Sequence, residues 1–230
     1  MSGVTQATFM NQRSFGPPPP GALGSAYEGG FYTGKIVQGG ITYYLIVAPK
    51  SSGENSSKQY KTANTAAPTD TKTLNNGPSA STSMNDAAYP AAQFCEGLTI
   101  GGFSDWYLPS RDELELCYRN LKPTTDNNQT NARSKSSYIY PEGDDVAGDT
   151  RGINRNSDPS GAAYTTGSPA RTSVSAFQSG GAEAFTGGDY WSSSEFSSSS
   201  AWGKYFVDGG EYEDSKTASY RARAVRRVAV

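Results

Sequence analysis

The sequence predicts an α+β fold in which an antiparallel sheet is combined with two helices and unusually long loops. Short runs of β-branched and aromatic residues, separated by glycine turns, lie near both ends of the chain. Two helical segments lie between them. Aromatic residues make up 12% of the 230 residues although only 35% are hydrophobic, so large rings can fill a core that a disordered chain would lack.

Composition excludes several classes of function. The chain has no histidine, so it contains no Ser-His-Asp or Cys-His relay, no histidine-bound zinc and no imidazole base. Its formal net charge of −2 argues against a nucleic-acid partner, which would require a basic face. The longest apolar stretch, residues 41–49, is far shorter than the about 20 residues that span a bilayer, so we expect no membrane insertion.

The N-terminal region is predicted to be an arm over residues 1–24, followed by a domain over residues 25–230. Four prolines at residues 17–20 favour an extended and stiff conformation. Such a segment is a linker, or it docks the domain on a larger assembly, and the two interpretations are compatible. The first residues show no secretory signal, and two cysteines make no disulfide scaffold, so we expect folding in a reducing cytoplasm.

The first elements of the domain are predicted to be strands. Residues 30–37 and 41–48 flank a Gln-Gly-Gly turn, which is typical of a β-hairpin. Residues 50–84 are rich in serine, threonine and asparagine and contain few large apolar side chains. This composition predicts a long surface excursion rather than a domain boundary.

Two helices follow. The first begins near Pro90, because proline is favoured in the first turn of a helix. The second has Ser110 as its N-cap and Glu113 three residues later, which is the pattern of a capping box, and it ends at Pro123. Turn residues predict loops over residues 123–188.

The C-terminal part returns to strands. One begins at Tyr190, and residues 201–207 and 211–213 form a hairpin around an Asp-Gly-Gly turn. The last segment, residues 219–230, contains four arginines on alternating and adjacent positions. These form either a patch for phosphate or acidic glycans, or salt bridges with acidic loops, and we favour the salt bridges because alternating positions face opposite sides of a strand.

Three phrases are more specific than composition. They are GFSDWYLPSRDEL at residues 102–114, YWSSSE at 190–195 and VRRV at 225–228. Together they resemble the Lcl C-terminal-like domain, a family of unknown biochemical function found in bacteriophage and bacterial surface proteins, over roughly residues 24–230. The resemblance implies a C-type-lectin-like fold in which the N- and C-terminal strands pair. Independently of the resemblance, six side chains in the first two phrases and in the predicted strand at residues 201–207 are predicted to form the core. They are Trp106, Leu108, Pro109, Trp191, Trp202 and Phe206.

The resemblance also implies a role in recognition. Relatives are carried on phage tail fibres and baseplates, and some are variable proteins of diversity-generating retroelements, with a variable region where residues 196–220 lie here. Tyrosine and serine, which antibody loops also favour, recur in this segment. The predicted receptor contacts are Phe196, Lys204, Tyr205, Asp208, Glu211, Tyr212, Asp214, Ser215 and Tyr220. A plain solvated hairpin is the alternative.

Calcium is the cofactor to consider for a lectin-like fold. A carboxylate cluster is formed by Glu142, Asp144, Asp145 and Asp149. Its spacing matches no EF-hand loop, and the motifs of calcium-dependent lectins are absent. We therefore favour a solvated acidic loop and expect no metal and no cofactor.

Two further pairs of residues raise the question of catalysis. Cys95 and Cys117 lie on consecutive predicted helices and either pack in the core or approach each other; neither has an activating neighbour. Asp112 and Glu113 are adjacent in a first helical turn, where the helix dipole and capping explain them better than glycoside hydrolysis. We expect no enzymatic activity.

Three hypotheses remain at this point. The first is a bacteriophage virion adhesin, assembled in the host cytoplasm, that binds a glycan or protein receptor on the host cell through its C-terminal region. Its N-terminal arm would contact other tail or fibre proteins, and fibre symmetry suggests an oligomer, for example a trimer. The second is a decoration protein of the capsid or tail. The third, a carbohydrate-processing enzyme, lacks an acid–base pair.

Overall fold

A computed structural model of the chain describes residues 18–132 and 151–230. Within these residues the strands form two five-stranded sheets with the orders β1-β2-β3-β10, where β5 adds to β2, and β4-β9-β6-β7-β8. The strands are β1 (Ala26–Tyr27), β2 (Gly30–Gln38), β3 (Ile41–Val47), β4 (Glu54–Gln59), β5 (Ser157–Asp158), β6 (Asp189–Glu195), β7 (Ser200–Tyr205), β8 (Glu211–Ser215), β9 (Ser219–Arg223) and β10 (Val225–Ala229). The helices are α1 (Lys50–Gly53), α2 (Gly77–Thr82), α3 (Pro90–Glu96) and α4 (Arg111–Leu121), with 3₁₀ turns at Thr69–Thr71 and Ser175–Phe177. The predicted α+β class is confirmed.

The first sheet joins the two ends of the domain. Strands β2 and β3 form the predicted hairpin, and β10 pairs antiparallel with β3, with Val225 opposite Val47. Leu45, Ile46 and Val47 of β3 are fully buried, and β2 and β10 flank that strand on both sides. The last strand of the domain therefore completes the sheet that the first hairpin begins.

The prediction for residues 50–84 was wrong. This segment contains α1, β4 and α2, and β4 pairs antiparallel with β9. Leu74 and Met84 are fully buried. Strand β4 gives no period-two signal because all of its residues are polar. Its partner β9 lies more than 150 residues later, as in the pair Glu54 and Arg223, so nothing nearby in the sequence indicates the pairing.

Both predicted helices are present. Helix α4 begins with the predicted capping box, in which the Ser110 amide donates to the Glu113 carboxylate at 2.8 Å. The same carboxylate accepts a hydrogen bond of 2.6 Å from the Tyr107 hydroxyl. The Asp112 carboxylate accepts one of 2.7 Å from the Asn156 side chain. Both acidic side chains thus serve the local structure of the helix start.

The three phrases meet at the N-terminus of α4. The backbone of Tyr107 bridges that of Val225, and the Ser193 amide donates to the Pro109 carbonyl at 2.8 Å. The Arg111 amide donates to the Ser194 hydroxyl at 3.0 Å. These contacts join the central helix to both sheets, so the phrases specify the architecture.

The predicted core side chains are buried. Trp106, Leu108, Trp191, Trp202 and Phe206 are at most 1% exposed, and Pro109 is buried as well. Trp106, Leu108 and Trp191 belong to one packed cluster. Phe206 belongs to a second cluster, which also contains side chains from the loop region, among them Tyr164, Phe177 and Phe185. Aromatic rings thus replace much of the aliphatic core of an ordinary domain.

Three of the four terminal arginines form the predicted salt bridges. Arg226 holds the Asp105 carboxylate through two nitrogens at 2.7 and 3.0 Å, and Arg223 contacts Glu183 at 2.9 Å. Arg227 lies 3.6 Å from Glu113.

Within the described residues, no helix combines the length and the apolar character needed to cross a membrane.

The two cysteines are free, buried and located in separate core clusters. Burial raises the pKa of the Cys95 thiol well above its usual range and that of Cys117 to about 12. We expect both thiols to resist a thiol reagent such as DTNB at pH 8 in the native protein and to react within minutes after denaturation. Rapid labelling of either cysteine in the native state would contradict this burial.

Candidate functional site

Strands β6, β7 and β8 present one face to the outside at their shared edge. Asp189 is paired with Tyr205, and Gly203 with Tyr212. Side chains of directly paired residues, and of every second residue along a strand, point to the same side of a sheet. Asp189, Tyr205, Tyr212 and Asp214 therefore lie on one face.

A shallow pocket of about 330 Å³ is formed on this face. Its lining consists of Asp189, Tyr205, Tyr212, Asp214 and Tyr220, which we call the tyrosine–aspartate pocket. Four of these five residues are among the predicted receptor contacts. Pocket volumes of small-molecule sites begin at about 300 Å³. The pocket thus has room for one small chemical group.

Tyr220 forms one wall of the pocket. Its ring packs against that of Trp191, with 4.4 Å between the ring centroids, and its hydroxyl donates to Asp214. The Tyr220 ring extends past β6 towards Gly203 on β7, where a Cβ atom would lie 3.5 Å from the ring. The absence of a side chain at Gly203 leaves the face between Tyr212 and Tyr220 open.

Tyr212 forms the opposite, more exposed part of the lining. Its side chain reaches 41% exposure, and its hydroxyl donates to the Gln129 side-chain oxygen at 2.5 Å. Burial, and then the carboxylates of Asp208 and Asp189, raise the pKa of Tyr212. The Tyr212 phenol is therefore neutral at physiological pH, and its hydrogen bond to Gln129, a residue of the loop that follows α4, holds it in place.

The electrostatic character of the pocket is acidic. Burial, followed by the carboxylates of Asp214 and Asp208, raises the pKa of Asp189, and only the Arg221 guanidinium lowers it. Among the described residues, Asp189 forms no hydrogen bond or ion pair through its carboxylate. Asp214 accepts hydrogen bonds from the Tyr220 hydroxyl and the Ser215 amide. Negative charge at this face is incompletely balanced.

Two predicted contacts are wrong. Lys204 and Glu211 are each 1% exposed, because they lie on the opposite face of β7 and β8, which packs against α4. There the Glu211 carboxylate contacts the Arg111 guanidinium at 2.7 Å and the Lys204 ammonium at 3.3 Å. Arg111 also stacks on the Trp202 ring at 3.6 Å. These charges belong to the interior and cannot touch a receptor in this conformation.

Three other predicted contacts lie outside the pocket. Phe196 follows β6 and packs edge-on against Trp202, with 5.0 Å between ring centroids. Asp208 lies in the turn between β7 and β8, where its carboxylate accepts the Gly210 amide at 2.9 Å. The Ser215 hydroxyl donates to Asn64 at 3.1 Å. Each is partly exposed, so their role in recognition stays a prediction.

The sequence analysis missed Asp189 and Gln129. Asp189 precedes the residue at which the strand was predicted to begin, and an aspartate that directly follows two glycines also suits a turn. The available signal was its position two residues before Trp191, which places both side chains on the same face. Gln129 lies in a loop, and nothing in the sequence indicates its contact with Tyr212.

A metal site was considered at the acidic cluster of residues 142–149, which lies outside the described residues. Within residues 18–132 and 151–230 there is no group of three or more cysteine, aspartate or glutamate side chains arranged to hold a metal ion. The expectation about calcium therefore stays a prediction.

The fold and the pocket define an α+β domain that presents an acidic, tyrosine-lined face on its second sheet. A model of the Lcl C-terminal domain family matches residues 55–226, which is more than half of the chain. The chain belongs to the Lcl C-terminal domain family, as its three phrases predicted. A comparison with curated proteins found no match. The matched span begins within β4 and ends within β10, so it leaves out the hairpin that pairs with β10.

Proposed function

We propose that the protein is a non-catalytic adhesin of a bacteriophage virion and that the tyrosine–aspartate pocket contacts a receptor on the host cell. The observation that carries this proposal is the convergence of Tyr205, Tyr212, Asp214 and Tyr220 on one open face. Three tyrosines at a partly exposed site give contact area at a low cost in side-chain entropy, as in antibody loops.

The proposal includes an arrangement on the virion. The domain over residues 25–230 adopts a C-type-lectin-like fold, and the proline-rich arm over residues 1–24 attaches it to a tail or fibre protein. Several copies per virion, for example a trimer, raise the avidity of a weak single site. The chain is assembled in the host cytoplasm and acts outside the cell as part of the virion.

Cell binding tests this function. We expect that the double variant Tyr205→Ala, Tyr212→Ala reduces adsorption of the labelled full chain to host cells about tenfold or more, because it removes two rings from the contact surface. Its melting temperature should remain close to that of the wild type, since both side chains are partly exposed.

The matched control is Ile41→Ala. Ile41 is an exposed large apolar side chain, at 51%, on the other sheet, and its replacement should leave adsorption unchanged. Unchanged adsorption of the tyrosine variant would contradict the proposal. Uniform immunogold labelling of the head or sheath would instead favour a decoration protein, whereas labelling at fibre tips supports an adhesin.

A further inference from the structure

We propose that the tyrosine–aspartate pocket takes a quaternary ammonium group, carried by the cell-surface molecule that the protein binds. This proposal names the ligand chemistry of the same site and rests on the proposed function for its biological setting. It is argued from the charge, the aromatic lining and the hydrogen-bonding state of the pocket.

The charge of the pocket favours a cation. Asp189 and Asp214 line it, and Asp208 lies close enough to act on Asp189 electrostatically. Arg221 is the opposing charge that acts on Asp189, and it forms no salt bridge with that carboxylate within the described residues. A positively charged ligand would balance a half-buried carboxylate that has no direct partner in the described structure.

The aromatic lining favours a cation with an apolar surface. Tyr205, Tyr212 and Tyr220 supply three of the five lining side chains. Tyrosine rings attract cations through their electron-rich faces, and groups of them are a recurrent way to recognise quaternary ammonium ligands. A trimethylammonium head also buries methyl groups against the rings, which a hydrated metal cation cannot do.

The hydrogen bonds already present leave the pocket with few donors. The Tyr220 hydroxyl donates to Asp214, and the Tyr212 hydroxyl donates to Gln129. An anionic or acceptor-rich ligand would need donors that these two side chains have already used, whereas a cation needs none. A quaternary ammonium makes no hydrogen bonds of its own and interacts with the pocket through the tyrosine rings and the carboxylates.

Calorimetry of the full chain with three small probes tests the ligand class. Choline is expected to bind weakly, ethanolamine at least about threefold more weakly, and 3,3-dimethylbutanol, the uncharged analogue of choline, about tenfold more weakly or not at all. Equal binding of choline and dimethylbutanol would overturn the role of charge. Equal binding of choline and ethanolamine would overturn the quaternary assignment, and so would the absence of choline binding.

Variants assign the binding to the pocket. Asp189→Asn and Tyr212→Ala are each expected to weaken choline binding about fivefold or more. The matched control is Glu213→Gln, which removes one negative charge from the same strand as Asp214 but on the other face, and Glu213 is exposed. An equal loss in Glu213→Gln would mean that choline responds to overall charge, which would overturn the site.

The dependence on pH gives a second readout. Groups facing Asp189 are Asp208 in the turn, Tyr212 and Asp214 on β8, Tyr205 on β7, and Tyr220 and Arg221 on β9. Burial and the neighbouring carboxylates raise the pKa of Asp189 above its usual value of 3.8. As the pH is lowered, Asp189 therefore becomes protonated before the pH reaches 3.8, and the choline affinity of the wild type should already fall in that range. Asp189→Asn should not show this fall; an identical profile in both proteins would count against Asp189.

Cell binding in the presence of choline separates this inference from the proposed function. Choline that binds the pocket and inhibits attachment supports both. Attachment that depends on Tyr205 and Tyr212 without any choline binding leaves the adhesin in place and overturns the ligand class. Choline binding that depends on Asp189, in a protein whose tyrosine variants still attach to cells, supports the ligand class and overturns the adhesin site.

Discussion

Replacing Glu211 by alanine is expected to lower the free energy of unfolding by about 3–5 kcal/mol. The Glu211 carboxylate lies between the Arg111 guanidinium, at 2.7 Å, and the Lys204 ammonium, at 3.3 Å, and the side chains of all three are about 1% exposed. Its removal leaves two positive charges in the interior without the carboxylate that balances them. Denaturation by urea, followed by tryptophan fluorescence, measures the loss.

The same strand offers a matched control for this prediction. Glu213 is two positions further along β8, is exposed and lies opposite Trp202 in the ladder. Glu213→Ala should change the free energy of unfolding by no more than about 0.5 kcal/mol. Similar losses in Glu211→Ala and Glu213→Ala would show that Glu211 is solvated and would restore it as a candidate receptor contact.

Replacing Glu195 by alanine is expected to cost about 3 kcal/mol or more. This residue ends the second phrase, is 1% exposed, and accepts hydrogen bonds from the Lys216 ammonium and, at 2.9 Å, from the Ala67 amide. Lys72 contacts it at 2.8 Å. Because the Lys216 side chain is fully buried, its charge would lose this counter-ion in the variant.

A double variant separates the loss of a charge pair from a loss of packing. Burial lowers the pKa of the Lys216 ammonium, so the charged pair carries a desolvation cost that offsets much of its attraction. Glu195→Met combined with Lys216→Met should therefore recover most of the stability lost in Glu195→Ala. A double variant as unstable as the single one would indicate that packing, rather than the unbalanced charge, determines the loss.

The contribution of Glu195 should also depend on pH. Burial raises the pKa of Glu195, but hydrogen bonds from Lys216, Lys72 and the Ala67 amide together outweigh it and lower the pKa below its usual value of 4.5. A carboxyl group whose pKa is lower in the folded state than in the unfolded state stabilises the fold above pH 4.5. This stabilisation disappears as the pH falls through the folded-state pKa. The stability difference between wild type and Glu195→Gln should therefore shrink below pH 4.5; a constant difference would contradict it.

Local signals in the sequence were sufficient for several elements. The β2–β3 hairpin follows from β-branched and aromatic runs around Gly39 and Gly40, both of which adopt positive φ. Helix α4 follows from Ser110 and Glu113, which interact within four residues of each other. Such elements are predictable because the groups that determine them are close in sequence.

The segment over residues 50–84 was not predictable in the same way. Strand β4 has no apolar alternation, and its partner β9 is far along the chain, so only the assembled sheet identifies it as a strand. The candidate site shows the same limit: polarity placed Lys204 and Glu211 among exposed contacts, but the packing of β7 and β8 against α4 buries them.

By itself the sequence determined the α+β class, the aromatic core, the family, and the region of the chain where the candidate site lies. Only the tertiary structure decided which face of β7 and β8 is open, since alternation along a strand separates two faces without saying which one a helix covers. It also decided that Asp189 joins Tyr205, Tyr212, Asp214 and Tyr220. The pocket is made by strand pairing across distant segments, and pairing register is a property of the whole fold.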